Sequence, residues 1–323
     1  MVAQGLQRAD PGGPVRRGPR TEQTRRVPAS ADLPESPPFA GLTIMIMRNH
    51  PAERERVMTE QAPGGFDVTR PNVARMYDYY LGGKNHLPAD RAAAERVIEL
   101  SQGHVREAVQ ENRAFLGRAV RFLARERGIR AFLDLGAGLP TQGNVHEIAL
   151  DVSPDVRVTY VDNDPVVAAH ARALLEGDPR VRFALADLRR PEEVVAAAQA
   201  NGLVLDRPVA LLLVSCLHFV RDEEDPEGLM AAYRELLPSG SHVVISHVSS
   251  DPLPDEMAAM GGVYSRANAP FEARPATQIA RFFDGFDLVE PGVVELNRWR
   301  PEPDALPLRG VALPVLGGVA LRP

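Results

Sequence analysis

This chain has one cysteine, one lysine and one tryptophan in 323 residues, and its aromatic share is only 6%. A lone Cys216 excludes an intrachain disulfide and any cysteine-rich zinc site, and it fits a reducing compartment. No stretch approaches the roughly 18 uninterrupted apolar residues of a membrane span, and no basic segment leads into an apolar signal core. We therefore expect a soluble, cytoplasmic protein without a membrane partner. The formal charge of −6 gives no electrostatic case for nucleic-acid binding. No G-x-x-x-x-G-K-[ST] phosphate loop occurs, and the histidines lack metal-ligand spacing, so no metal is expected. Lys84, alone among 37 basic residues, sits in "LGGKN". Its compact ammonium is chemically distinct from a guanidinium, which keeps it among the candidates.

Apolar residues make up 44% of the chain and charged residues 25%, close to ordinary globular usage. The first 62 residues differ: nine of the 29 prolines fall before position 65, arginines cluster, and the apolar pattern has no period. That segment reads as a disordered tail. "GLTIMIMRN" is its only apolar run, and Met58 begins a stretch that reads like an ordinary protein start. Residues 63–128 carry three amphipathic helical patterns. The first, "RPNVARMYDYYL", ends at the pair Gly82-Gly83; the last is closed by Gly128. From residue 129 to the end, short apolar runs alternate with helical patterns. Strands are expected at 130–135, 157–162, 181–185, 208–216, 241–248 and 286–290. Helices are expected at 142–150, 165–176, 191–200, 226–237 and 275–283. This is βαβ alternation, and the continuously apolar "VALLLVSCL" marks a central parallel strand. "GVALPVLGGVALRP" supplies a last strand or hairpin, antiparallel at the sheet edge.

The chemistry concentrates in "FLDLGAGLPTQGNV". In an open α/β sheet, ligands bind beyond the carboxyl ends of the strands. Gly136 and Gly138 let the backbone take positive φ and approach a ligand, and the following helix offers free N–H groups. Pro140 is tolerable in the first turn of that helix. A carboxylate at Asp134 would repel a pyrophosphate, but it suits an ammonium such as the amino-acid end of S-adenosylmethionine. Asp162, closing the next strand, can accept both ribose hydroxyl protons. Asp187, after the third, is placed for the exocyclic amine of adenine, with Leu188 as an apolar wall. Singly, each feature is equally compatible with a tight turn or a helix cap; together and in order they point to one nucleoside. A dinucleotide fingerprint would need glycine where Thr141 stands, and it would leave Asp134 unexplained.

These segments resemble the S-adenosylmethionine-dependent methyltransferases widespread in actinobacteria. The resemblance runs over about residues 66–323 and is carried by "DVTRPNVARMYDYYLGGKNHLPADR", "NRAFLGRAVRFLARERGIRAFLDLGAGLPTQGNVHEIA", "VTYVDNDPVVAAHARALL", "ALLLVSCLHFV" and "RPATQIARFFDGFDLVEPGVV". It implies an α/β class I methyltransferase fold, a Rossmann-like three-layer sandwich. Its sheet would have seven strands, mostly parallel, with an N-terminal helical extension. It implies S-adenosylmethionine in the first-turn cleft, held by Asp134, Gly136, Ala137, Gly138, Asp162, Asn163, Asp187 and Leu188. The "YLGGKN" signature implies a lid, adding Tyr77, Gly83 and Lys84 to the cofactor residues.

Methyl transfer from a sulfonium is an in-line displacement, so alignment is the main task and a base is optional. His218, after the central strand, is the first candidate for a catalytic base, with a packing role as the rival reading; His247 is the weaker one. Tyr77 and Tyr80 line an acceptor pocket or pack a helix face. Arg266 or Arg274, in the turn-rich 264–275, holds an anionic acceptor or belongs to a solvated loop. The expected function is methylation of a small-molecule acceptor. A non-catalytic cofactor-binding sensor and a nicotinamide oxidoreductase stand as alternatives.

Overall fold

The computed structural model describes residues 67–140, 143–175, 177–251, 253–301 and 314–323. The chain divides into two units, Met1–Glu60 and Gln61–Pro323, and all that follows concerns the second. The expected disordered tail, its apolar run and the start at Met58 lie outside the described residues.

Three helices come first: α1 (Val73–Tyr80), α2 (Pro88–Leu100) and α3 (His104–Arg125). Asn72 caps α1 through a bond from the Arg75 N–H. The buried Asp90 of α2 ties the two together, accepting from Arg75 Nε at 2.6 Å and from the Asn72 N–H at 2.8 Å. Then follow β1 (Ala131–Leu135), α4 (Val145–Val152), β2 (Arg157–Asp162), α5 (Pro165–Leu175), β3 (Val181–Leu185), α6 (Pro191–Ala200) and β4 (Ala210–Val214). After β4 come α7 (Pro226–Leu236), β5 (His242–Val248), α8 (Pro254–Tyr264), α9 (Ala276–Arg281), β6 (Asp287–Leu288), β7 (Val294–Glu295) and β8 (Val315–Leu321).

The strand order is β3-β2-β1-β4-β5-β8-β6, with β7 paired to β8 off this path. β1 to β5 are parallel, and β8 runs antiparallel to its neighbours. The mostly parallel seven-strand sheet of the expected fold class is therefore present, with the two-residue β7 added. β1, buried along its whole length, is flanked by β2 and β4, and Asp134 lies level with Tyr160 on one side and Leu212 on the other. Successive side chains go to opposite faces. Phe132, Leu212 and Val244 pack under α1, α2, α3 and α8, whereas Leu133, Leu211 and Ile245 pack under α6 and α7. Helices thus cover both faces, as a parallel sheet requires.

Two expectations need correction. β8 is not at the sheet edge: it is inserted between β5 and the short β6. Glycine makes this fit, because a Cβ on Gly317 would lie 2.8 Å from the Ile245 carbonyl and 2.5 Å from the Leu296 side chain. Residues 254–264 form α8, a helix that the sequence pattern left unannounced. Pro254 starts it, and Asp255 and Glu256 complement its N-terminal dipole; the paired Gly261 and Gly262 had obscured it. β4 is shorter than expected because Ser215 takes a φ of +57° and turns the chain out of the sheet.

Candidate functional site

The order of strands places a switch point between β1 and β4, where the chain leaves the sheet toward opposite sides. A cleft opens there, about 1790 Å³ with its open mouth included. The turn after β1 lines it. Gly136 and Gly138 have φ of +64° and +65°, the left-handed region that glycine enters without steric cost. At Gly136 there is a second constraint: an added Cβ would fall 2.7 Å from Cys216 Cβ, whereas at Gly138 it would meet open space. Gly136→Ala should therefore cost about 2–5 kcal/mol, strain and overlap together, and Gly138→Ala, with strain alone, about 1–2 kcal/mol. Thermal unfolding of the two variants checks this; equal losses would refute the packing argument.

Asp162 braces the turn. Its carboxylate accepts from the Gly138 N–H and the Asp164 N–H, each at 2.9 Å. Burial pushes this carboxyl up to about 6. Asp134 is 8% exposed, and burial pushes it up to about 7; Arg113 works against the rise and Asp162 adds to it. A cleft that holds two such carboxyls at the edge of ionisation is suited to a positively charged ligand.

Asp187 and Leu188 line the same cleft, as do Ala137 and Asn163. Asp187 is already engaged: Arg189 grips it with Nη2 at 2.6 Å and Nε at 2.9 Å, and reaches Glu224 at 2.8 Å. Burial works to raise the Asp187 carboxyl, and the bonds from Arg189 override it, leaving it below the usual range. A carboxylate has about four lone-pair directions, so a further donor can still be accepted.

The helical segment contributes less directly than its signature implied. Tyr77 lines the cleft, its hydroxyl receiving a bond from Asn112 Nδ2 at 3.0 Å. Lys84 is exposed, and neither it nor Gly83 lines the cleft. Gly83 acts through Asp78: a Cβ there would overlap that carboxylate at 2.1 Å, and the Asn85 N–H donates to it at 2.8 Å. The double glycine thus folds the "GGKN" turn around a buried acid that does face the cleft. Asp78 was missed, although an acid among the apolar positions of α1 was a usable signal.

Also missed was a buried chain of polar groups behind Tyr77. The Ser215 N–H donates to Ser246 Oγ at 2.9 Å, and that hydroxyl donates to Asn112 Oδ1 at 2.6 Å. β4, β5, α3 and α1 are joined by it, and no local pattern announces a pairing across 134 positions.

His218 lies in a one-turn helix, Leu217–Phe219, after β4, where it lines the cleft and is 5% exposed. Its Nδ1 is buried with no hydrogen-bond partner. Burial, helped by His247 and Arg274, holds its pKa well below the usual histidine value, so the ring stays neutral. His247 is not available as a base. Its Nδ1 donates to the Val248 carbonyl at 2.8 Å, its Nε2 accepts from Arg274 at 2.9 Å, and it does not line the cleft. Arg274 does not face an acceptor either. It is 1% exposed and holds the Leu217 and Val220 carbonyls at 3.1 and 2.6 Å, with Asp222 at 2.9 Å. Arg266 is exposed and outside the cleft lining. Among the described residues, no helix is long and apolar enough to cross a membrane.

Comparison with known proteins agrees with this geometry. A family model described as S-adenosyl methyltransferase matches residues 59–323. A DUF574 family protein from Streptomyces avermitilis is 38% identical, with a TM-score of 0.75 over 80% of this chain and 99% of its own. A candidate methyltransferase from Thermobifida fusca is also 38% identical, with a TM-score of 0.75 over 81% of this chain and 99% of its own. No curated protein matches the chain.

Proposed function

This chain belongs to the S-adenosyl methyltransferase family, and from that premise we propose that it methylates a small-molecule acceptor bound in the same cleft as the donor. It is a methyltransferase, and S-adenosylmethionine is its methyl donor, a substrate consumed in each turnover.

The observation that carries our assignment of the donor site is the convergence of Asp134, Asp162 and Asp187, from three adjacent strand tips, on one cleft beside a turn with two left-handed glycines. In our reading Asp134 pairs with the ammonium of the methionine tail. Asp162 bonds the ribose hydroxyls while still bracing Gly138, and Asn163 lies on the ribose side. Asp187 accepts the adenine amine beside the Leu188 side chain. Ala137, between the glycines, keeps the turn narrow. α1 to α3 close over the donor as a lid, with Tyr77 held against it by Asn112. Gly83 and Lys84 serve this lid rather than the donor itself. The donor supplies an electrophilic methyl carbon, and the side chains have to exclude water and align an acceptor with it.

A small acceptor is supported by the apolar surface that Val97, Val105, Ala108, Val109 and Leu116 contribute to the lining of the cleft. Arg113 and Arg189 are the only basic side chains facing the cleft among the described residues. The first donates to the Gly143 carbonyl at 2.7 Å, and the second is held by Asp187 and Glu224.

Calorimetry with S-adenosylmethionine and S-adenosylhomocysteine tests the donor site. Asp162→Ala should weaken both by about 1–3 kcal/mol, the range for an unpaired polar partner; unchanged affinity would remove Asp162 from the site. Transfer of labelled methyl to the low-mass fraction of a host extract tests the acceptor class, and label found only in macromolecules would refute it.

A further inference from the structure

Besides the three acids, the same cleft is lined by a chemically different group of side chains. Tyr80 from α1, His218 and Phe219 from the turn after β4, Met260 and Tyr264 from α8, and Phe271 from the loop before α9 all line it. The rings of His218, Phe219, Tyr264 and Phe271 touch one another. Tyr264 and Phe271 stack with centroids 4.9 Å apart at 19°, His218 meets Phe219 at 4.4 Å and Phe271 at 5.2 Å, and the Tyr80 and Tyr264 hydroxyls are 3.0 Å apart. None of the six carries a charge at neutral pH, His218 being held neutral by burial and by its neighbours His247 and Arg274. One buried polar atom here, His218 Nδ1, has no partner. A chamber of this kind selects by ring faces and by one hydrogen bond.

We propose that this chamber is the acceptor subsite and that it takes a neutral, planar aryl alcohol, whose ring lies among Phe219, Tyr264 and Phe271 and whose hydroxyl meets His218. The proposal rests on the methyl-donor reading above.

Charge decides against the other classes. Five acidic side chains line the cleft, Asp134, Asp162 and Asp187, which the donor engages in the reading above, and Asp78 and Asp164, against the two engaged guanidiniums of Arg113 and Arg189. An aryl carboxylate would therefore meet a repulsive field. A quaternary ammonium could rest on the rings, but it has no N–H or O–H and no lone pair to offer His218. An aliphatic alcohol would satisfy the imidazole and waste the ring faces. In the transfer, a lone pair of the aryl oxygen forms the new O–CH3 bond while the CH3–S bond breaks, its electron pair staying on sulfur as the thioether. The hydroxyl proton passes to the His218 imidazole and then to water. A weakly basic imidazole suffices, because an O-methylated aryl oxonium is a very strong acid.

The test uses the full chain saturated with S-adenosylhomocysteine and three probes: β-naphthol, β-naphthoate and benzyltrimethylammonium. β-Naphthol should bind at least about tenfold tighter than either ion. Phe271→Ala should weaken it by about fivefold or more, the worth of a lost ring pair. With S-adenosylmethionine in place of the product, β-methoxynaphthalene should form, and His218→Phe should slow its formation by about a hundredfold while changing β-naphthol affinity far less. Equal or tighter binding of an ion overturns the proposal. So does absence of naphthol binding or methylation, or a rate indifferent to His218→Phe. Failure of S-adenosylhomocysteine itself to bind would instead overturn the donor reading, so the two outcomes are told apart in one experiment.

Discussion

Arg274→Met should lower the stability of the domain by about 2–5 kcal/mol, the cost of the buried acceptors it leaves without a donor, which for a unit of this size means a thermal midpoint lower by roughly 10 °C. The residue looks from sequence like one more surface arginine in a turn-rich loop, yet it is 1% exposed. Its guanidinium donates to the Leu217 carbonyl at 3.1 Å, the Val220 carbonyl at 2.6 Å and His247 Nε2 at 2.9 Å, and it bonds Asp222 and Glu272 at 2.9 and 3.2 Å. Methionine keeps most of the volume and none of the donors, so the Val220 carbonyl and His247 Nε2 lose theirs, while the Leu217 carbonyl keeps the Val220 N–H at 3.1 Å. The Leu217–Phe219 turn should loosen with them, and His218, which that turn presents, should titrate nearer the ordinary histidine range because a neighbouring cation has gone. Thermal unfolding and the His218 ring resonances followed against pH give the two readouts. A variant as stable as the parent, with an unmoved His218, would show that Arg274 does not support this turn.

Affinity for S-adenosylmethionine should fall steeply as the pH drops below neutrality. Asp134 and Asp162 have carboxyls raised to about 7 and about 6 by burial, so below those values the free protein holds protons that a cationic ligand must displace. Binding should weaken about tenfold per pH unit below about 7, and more steeply below about 6 as the second proton adds. Between pH 8 and pH 5 the loss should be on the order of a thousandfold. For the free protein the sign is opposite. A carboxyl whose folded pKa lies above its unfolded value binds more protons in the native state, so stability falls as pH rises from about 4 through 7. The stabilisation conferred by the donor should accordingly be largest at neutral pH. Calorimetry across this range is decisive, and Asp134→Asn should abolish the upper step. A flat profile between pH 5 and 8 would sink the assignment of both acids.

The alternation of β and α segments was legible in the chain because a strand buried on both faces must be apolar throughout. β1, β2, β3 and β5 accordingly lie within a residue of where periodicity put them. The bend after β1 was legible for an equally local reason: a positive φ at positions 136 and 138 is a property of single residues. α8 escaped notice because paired glycines lower helix propensity, and only packing of Met257, Met260 and Tyr264 into the core overrides that.

Local backbone chemistry and apolar periodicity were therefore enough to determine an alternating, mostly parallel α/β sheet and the acids at its strand tips, and the resemblance to the methyltransferases supplied the class I fold. Four things were decided only by the folded chain. β8 enters the sheet beside a strand some 70 residues earlier. Asn112 finds Ser246, Arg274 turns inward to hold the His218 turn, and rings from α1, α8 and two loops meet in one chamber. The physical reason is common to all four. A dihedral preference or an apolar period is written in neighbouring residues, whereas a buried polar or aromatic side chain takes its role from partners that the topology brings to it from far along the chain.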